Sequence, residues 1–322
     1  MKHYLVTPLY NIEIADELLG NKILDYYILK SEDIRVLLKK IFSQESVIYK
    51  SLPELVISIQ NPHGCIANRA FSQYSLMKEF VSDSVNFEYE KQNVNLLLNF
   101  FRLSKQGNLQ FQDSYLFAED KSVGAFPPGD LSLQRLDNVR IYGKKSYSDE
   151  DYIIDENIFQ QILEIADKIS KKTFLFHPIN YFIATYESTN IYDRMIWHSV
   201  TLESLLLSND NKKNLTSRLK MSCNFMMKEN ITNIIDSLYN IRSEIVHAGT
   251  ISDNSKKKVK KCLQVHFNDC DEDTDKILLL KFDRLMKNIS RNIINQALTI
   301  SIDNNINTLK ELHNFIEQQI QS

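Results

Sequence analysis

LYNIRSEIVHAG, Leu238 to Gly249, reads as the last turns of a helix and carries two residues that a plain core helix does not explain. Apolar side chains recur at Ile231, Ile234, Ile235, Leu238, Ile241 and Ile245, a stripe of helical period. At 100° per residue Arg242 falls near the middle of that stripe, within about 20° of Ile231. Arginine cannot shed its charge, and an uncompensated buried guanidinium is costly, so Arg242 needs an acidic partner or a cavity. His247 follows, and Gly249 is a natural residue to end the helix in the left-handed conformation. The helix dipole favours a cation at that end, and an imidazole with an ordinary pKa near ~6.5 suits proton transfer. On spacing alone, a histidine so placed is also simply a helix cap.

The preceding segment DRMIWHSVTLESLLLS, in a helix predicted over 191–208, holds the matching anomaly. Ile196, Val200, Leu206 and Leu207 define its stripe, and Glu203 falls in the middle. One carboxylate and one guanidinium on two apolar faces point to a buried ion pair between these helices. The alternative is that these faces line a cleft.

Composition narrows the classes. The chain has 322 residues, enough for two domains, with 43% hydrophobic and 25% charged residues, an ordinary globular balance. A net charge of -3 supplies no global basic field, so any polyanion site must be local. The cysteines Cys65, Cys223, Cys262 and Cys270 have no metal-ligand spacing, which points to reduced thiols and a cytoplasmic location. No metal or cofactor is expected. The N-terminal run MKHYLVTPLYNIEI lacks a cleavage site of small residues, and no apolar run approaches ~18 residues, so neither a signal peptide nor a membrane span is expected.

Two organisational regimes divide the chain. Residues 1–155 read as an α+β domain: MKHYLVTPLY and KILDYYIL as strands, DIRVLLKKIF as a short helix, and VNLLLNFFRLSKQGNLQFQDSYLF as apolar segments around a turn at Gln106-Gly107-Asn108. GAFPPGD (124–130) reads as a loop and NVRIYGK as a further strand. Residues 156–322 read as all-α, with helices over 156–171, 179–188, 191–208, 214–227, 230–247, 274–301 and 305–320. Asn190 is the expected N-cap of the third of these, and Asn214 begins the fourth. Two charged segments lie between the last helices. NSKKKVKK (254–261) is either a solvated face or a contact for an RNA backbone, through Lys256, Lys257 and Lys258. NDCDEDTD (268–275) alternates acids like a calcium loop, but Thr274 stands at the glycine position and Leu280 at the closing glutamate, so it reads as a solvated loop.

Three segments in order, IYDRMIWHSVTLESLL (191–206), NLTSRLKMS (214–222) and SLYNIRSEIVHAG (237–249), resemble the Apea-like branch of the HEPN superfamily. KILLLKFDRLMKNISRNIINQAL is similar to the helix that follows in that family, and FRLSKQGNLQF (101–111) looks like a segment that often precedes the module. The resemblance covers about 180–300 well. It implies a helical bundle whose Arg-x4-His motif, here Arg242 and His247, forms a metal-independent endoribonuclease site. It further implies supporting roles for Glu203, Tyr239 and Ser243, RNA contacts at Arg218, and a homodimer in which two motifs share one cleft. The family's role in anti-phage defence, abortive infection or toxin activity implies a protein trigger or antitoxin as a further partner. Ser243 stands where many active members carry Asn, Asp or His, and Ala248 where glycine is common. The alternative is a non-catalytic module of the same fold that binds RNA, a nucleotide or a protein.

Overall fold

The computed structural model describes residues 2–10, 12–30, 32–34, 36–37, 74–81, 87–107, 109–111, 115–118, 152–188, 190–208, 214–266 and 274–321. The loop GAFPPGD, the strand expected over NVRIYGK and most of the acidic run lie outside them. So does the C-terminal part of DIRVLLKKIF, whose residues 33–34 and 36–37 are helical. The chain is α+β: an antiparallel sheet near the N-terminus and a helical C-terminal region. It divides into two compact units, with the change at Glu164 and Ile165 inside a helix.

The first unit is organised by strand β1 (Lys2–Tyr10). On one side β1 pairs antiparallel with β5 (Tyr74–Val81), from Lys2 opposite Val81 to Leu9 opposite Tyr74. On the other it pairs antiparallel with β6 (Gln110–Phe111) and β7 (Tyr115–Ala118). KILDYYIL, expected as one strand, is instead a hairpin of β3 (Lys22–Ile23) and β4 (Tyr26–Lys30), which continues the sheet beyond β5. Leu24 takes φ +54 at the turn, a left-handed conformation that no Gly or Asn signals in the sequence. Short β2 (Ile12–Ile14) pairs parallel with β8 (Tyr152–Ile154).

Helix α1 (Phe87–Ser104) occupies most of the apolar stretch before Gly107. Its Glu90 carboxylate accepts from Lys78 Nζ at 3.0 Å and from Tyr26 Oη at 3.1 Å, so strand and helix meet through a buried ion pair. Gly107 is required by close packing: a Cβ there would sit 2.8 Å from Tyr152 Cδ2. Tyr152 Oη in turn donates to the Phe101 carbonyl at 2.6 Å.

The second unit is a helical bundle. After α2 (Glu156–Lys171) come α3 (Phe176–Glu187), α4 (Ile191–Leu206), α5 (Leu215–Met227), α6 (Thr232–Ala248), α7 (Asp253–Gln264), α8 (Asp275–Asp303) and α9 (Leu309–Gln321). The 29-residue α8 packs against α3, α4, α5 and α7, and its buried positions include Leu278, Phe282, Met286, Ile293 and Ala297. Helix α6 packs against α4, α5 and α7. At the end of α2, Lys172 Nζ donates to the Ile306 carbonyl at 2.8 Å, closing the bundle onto the turn after α8.

Capping explains where several helices start. Asn190 Oδ1 accepts from the Tyr192 amide at 3.0 Å, and Ser252 Oγ accepts from the Ser255 amide at 3.3 Å. Asn214 differs from expectation: it takes φ +56 and makes no side-chain cap. Helix α7 is the larger correction, since NSKKKVKK, expected to lie between helices, is itself helical. Ser255, Val259, Cys262 and Leu263 form its buried stripe, and the lysines occupy the remaining faces.

Candidate active site at the end of helix six

Helix α6 is placed by its buried face, Ile234, Ile235, Leu238 and Ile241. After Ile241 the helix leaves the core: Ser243, Val246 and His247 are exposed. Arg242 sits at this transition. Gly249, at φ +68, ends the helix by donating its amide to the Ile245 carbonyl at 3.0 Å.

Arg242 Nη1 donates to Glu203 Oε1 of α4 at 2.6 Å. Tyr239 Oη, one turn earlier on α6, donates to the same oxygen at 2.5 Å, and the guanidinium lies over its ring. Burial, then the Glu203 carboxylate, pushes the Tyr239 phenol well above its ordinary value, so it stays a protonated donor. The pair is not dry. The Arg242 and Glu203 side chains are 31% and 26% exposed, where the following residues of α6 turn to solvent. The guanidinium is therefore oriented from one side while part of it faces solvent.

Glu203 makes the expected pair between the helices, part-buried and not dry, and it also faces a cleft. The stripe read for α4 is its core face only in part, since Leu206 and Leu207 are buried while Ile196 and Val200 are not. Met195, His198, Leu202 and Leu205 are buried, whereas Val200, Glu203 and Leu207 line a cleft of about 700 Å³.

The remaining site residues separate. His247 and Ser243 lie exposed on the last turns of α6, and neither makes a side-chain hydrogen bond among the described residues. Arg218, expected at RNA, is instead ion-paired with Glu317 of α9. Lys256 bridges Asp253 at 3.3 Å and Asp275 at 2.6 Å, whose carboxylates compensate its charge. Lys257 and Lys258 are exposed on α7.

The turn between α6 and α7 is held by Glu244. Its carboxylate accepts from the Ser252 amide at 2.7 Å and from the Ser252 and Ser255 hydroxyls at 2.8 Å each. Partial burial raises its pKa, but these donors outweigh that and hold it below the usual carboxylate range. Glu244 thus fixes the backbone that carries His247 and Gly249.

A second charged constellation escaped the sequence reading. Asp283 of α8 accepts from Arg194 Nη1 of α4 at 3.1 Å, lies 2.9 Å from His198 Nε2, and pairs with Lys287 Nζ at 2.9 Å. Burial holds the His198 pKa below its ordinary value. The neutral ring then donates from Nε2 to Asp283 and accepts at Nδ1 from Ser290 Oγ at 3.4 Å. The only cue was the i, i+4 spacing of Arg194 with His198 and of Asp283 with Lys287. Since His198 is fully buried, this is a clamp between α4 and α8.

Among the described residues no group of three or more His, Cys, Asp or Glu side chains is arranged to hold a metal ion. No described helix is long and apolar enough to cross a membrane. Comparison with known proteins decides nothing further. No family model, no curated protein and no solved structure matches the chain.

Proposed function

We propose that this chain is a metal-independent endoribonuclease of the HEPN type, with Arg242 and His247 as its catalytic residues. The observation that carries the reading is the guanidinium held by Glu203 and Tyr239 on one side and open to solvent on the other, on the same helix end as an exposed imidazole. A preoriented arginine suits a phosphodiester, because its planar fork matches two phosphate oxygens and stabilises charge developing on them. Histidine moves protons near neutral pH.

In the proposed reaction His247 takes the proton of a ribose 2′-hydroxyl, whose oxygen then bonds to the adjacent phosphorus. The bond from phosphorus to the 5′-oxygen breaks, and the leaving oxygen takes a proton from the histidine of a second copy of the chain. The products are a 2′,3′-cyclic phosphate and a 5′-hydroxyl end. Glu203 and Tyr239 act as positioning residues. The chain works in the cytoplasm as a homodimer, in anti-phage defence or as a toxin, under a protein trigger or antitoxin.

The decisive experiment incubates wild-type and His247→Ala protein with total RNA. Wild type cleaves, leaves cyclic phosphate ends, retains activity in EDTA and spares an all-2′-deoxy strand. Folded His247→Ala does not cleave. Equal cleavage by both proteins, or cleavage of the deoxy strand, rejects the mechanism. The second reading is a non-catalytic module that binds RNA, a nucleotide or a protein, and the direct pairing of Arg242 with Glu203 favours it by giving the arginine a structural role. Absence of cleavage by wild type, together with RNA binding, selects it.

A further inference from the structure

The cleft beside the Arg242 pair lies within the second unit and has a lining unlike a packing defect. Its volume of about 700 Å³ falls in the range of small-molecule sites. Pro178, Val200 and Leu207 give it apolar walls. Tyr181 supplies an aromatic ring, backed by Trp197 in a parallel stack, with centroids 5.9 Å apart and planes inclined by 12°. Exposed His177 and Lys310 also line it, at residues suited to a phosphate. The acidic group in it is Glu203. Among the described residues only Oε1 of that carboxylate is engaged, by Tyr239 and Arg242, while Oε2 accepts no hydrogen bond.

A part-buried carboxylate with one oxygen not hydrogen-bonded, in the wall of a cleft, offers an acceptor to a donor. A rigid ring pair calls for a flat ligand. A nucleobase satisfies both, stacking on an aromatic side chain and donating through its Watson–Crick edge. We propose that this cleft seats one nucleobase of the RNA, guanine before the others, an inference that rests on the RNA-cleaving reading above. Guanine presents N1–H and N2–H side by side. In adenine, cytosine and uracil each donor on that edge is flanked by an acceptor that a carboxylate repels. Glu203 thereby couples base choice to phosphate chemistry, with Oε2 reading the base and Oε1 holding the arginine. Cleavage is then favoured beside guanosine.

Trp197 is the single tryptophan of the chain and stacks on a cleft residue, so its fluorescence reports occupancy directly. The full-length protein is titrated with GMP, IMP, AMP, CMP and UMP. GMP changes the signal saturably, and IMP, which lacks only the 2-amino group, binds at least about tenfold more weakly, the loss expected for one hydrogen bond to a charged acceptor. Tyr181→Leu weakens GMP about tenfold by removing the stacking face. Lys310→Gln weakens GMP severalfold and leaves guanosine unchanged. The proposal is overturned by no GMP binding at millimolar concentration, by equal affinity for all five nucleotides, or by unchanged GMP affinity in folded Tyr181→Leu. Should Tyr181→Leu fail to fold, the comparison of GMP with IMP and the Lys310→Gln arm decide. The two readings fail separately. GMP binding without RNA cleavage keeps the cleft and rejects the nuclease. Cleavage that depends on His247, without base preference or GMP binding, keeps the nuclease and rejects the cleft.

Discussion

Glu203 Oε1 receives Arg242 Nη1 at 2.6 Å from a neighbouring helix, and the pair stays about one-third open to solvent. That partial exposure sets the size of its contribution. A dry pair broken on one side costs about 3–5 kcal/mol, and a surface pair contributes about 0–1 kcal/mol. Glu203→Gln is therefore expected to lower stability by about 1–2 kcal/mol, between those limits. Tyr239→Phe, which removes one hydrogen bond to the same oxygen, is expected to cost about 1 kcal/mol. Urea unfolding of both variants measures this. A loss of 4 kcal/mol or more in Glu203→Gln, on the order of a fully buried pair, would contradict the observed exposure.

Asp283 contrasts with Glu203. It is buried together with His198 and Lys287, and Arg194 adds a second cation. Asp283→Ala leaves those groups without their carboxylate and is expected to cost about 3–5 kcal/mol, enough to unfold a marginal domain. The measurement is the shift in urea midpoint at constant m-value. A loss under about 1 kcal/mol, the range of surface pairs, would show that the clamp holds nothing.

Stability is expected to fall on both sides of neutrality. Buried His198 binds a proton less readily than in the unfolded chain, so the unfolded state gains as pH drops below about 6.5. Burial pushes the Asp283 carboxyl up, but Lys287, His198 and Arg194 pull it further down, well below the usual carboxylate range. Its stabilisation is complete above about pH 4 and disappears as pH falls below that. On the alkaline side, burial and then Glu203 raise the Tyr239 phenol, and burial and then Glu90 raise Tyr26. Their protonated forms favour the fold, an advantage lost as pH rises above about 10. Urea midpoints across pH 3–11 test the profile, that span being set by about one unit beyond these ordinary values. Stability that rises from pH 7 to 5, across the ordinary histidine pKa of about 6.5, would instead mean a protonated His198 paired with Asp283.

Gly249 adopts φ +68 with open space around its Cβ position, so a substitution there is opposed by backbone strain alone. Gly249→Ala is expected to cost about 1 kcal/mol and to disturb the last turn that carries His247. Under the proposed mechanism RNA cleavage falls more than the folded fraction does. Cleavage that tracks the folded fraction would show that the terminus need not be placed accurately.

Much of the second unit was legible because helical periodicity repeats over many residues. Helix α2 occupies 156–171 as expected, and α5, α6 and α8 lie within two residues of expectation. Helix α7 was not legible, since five lysines in 254–261 conceal a stripe completed by Ser255 and Cys262, neither strongly apolar. In the first unit, short strands such as Lys22–Ile23 owe their pairing to distant partners, and two residues carry no usable period. At the site, the anomaly of two charges on apolar faces was legible from spacing. The engagement of Arg218 by Glu317, 99 positions away, was not.

By itself the sequence determined local matters: the helices, the terminus at Gly249, and the need of Arg242 for a partner. These follow from interactions within a few residues, where the chain's own geometry sets the neighbours. Only the tertiary structure decided that the partner is Glu203, that the pair stays partly open to solvent, that Glu203 also faces a cleft, and that His198 and Asp283 clamp two helices from the inside. Those depend on packing between segments distant along the chain, which no single face contains.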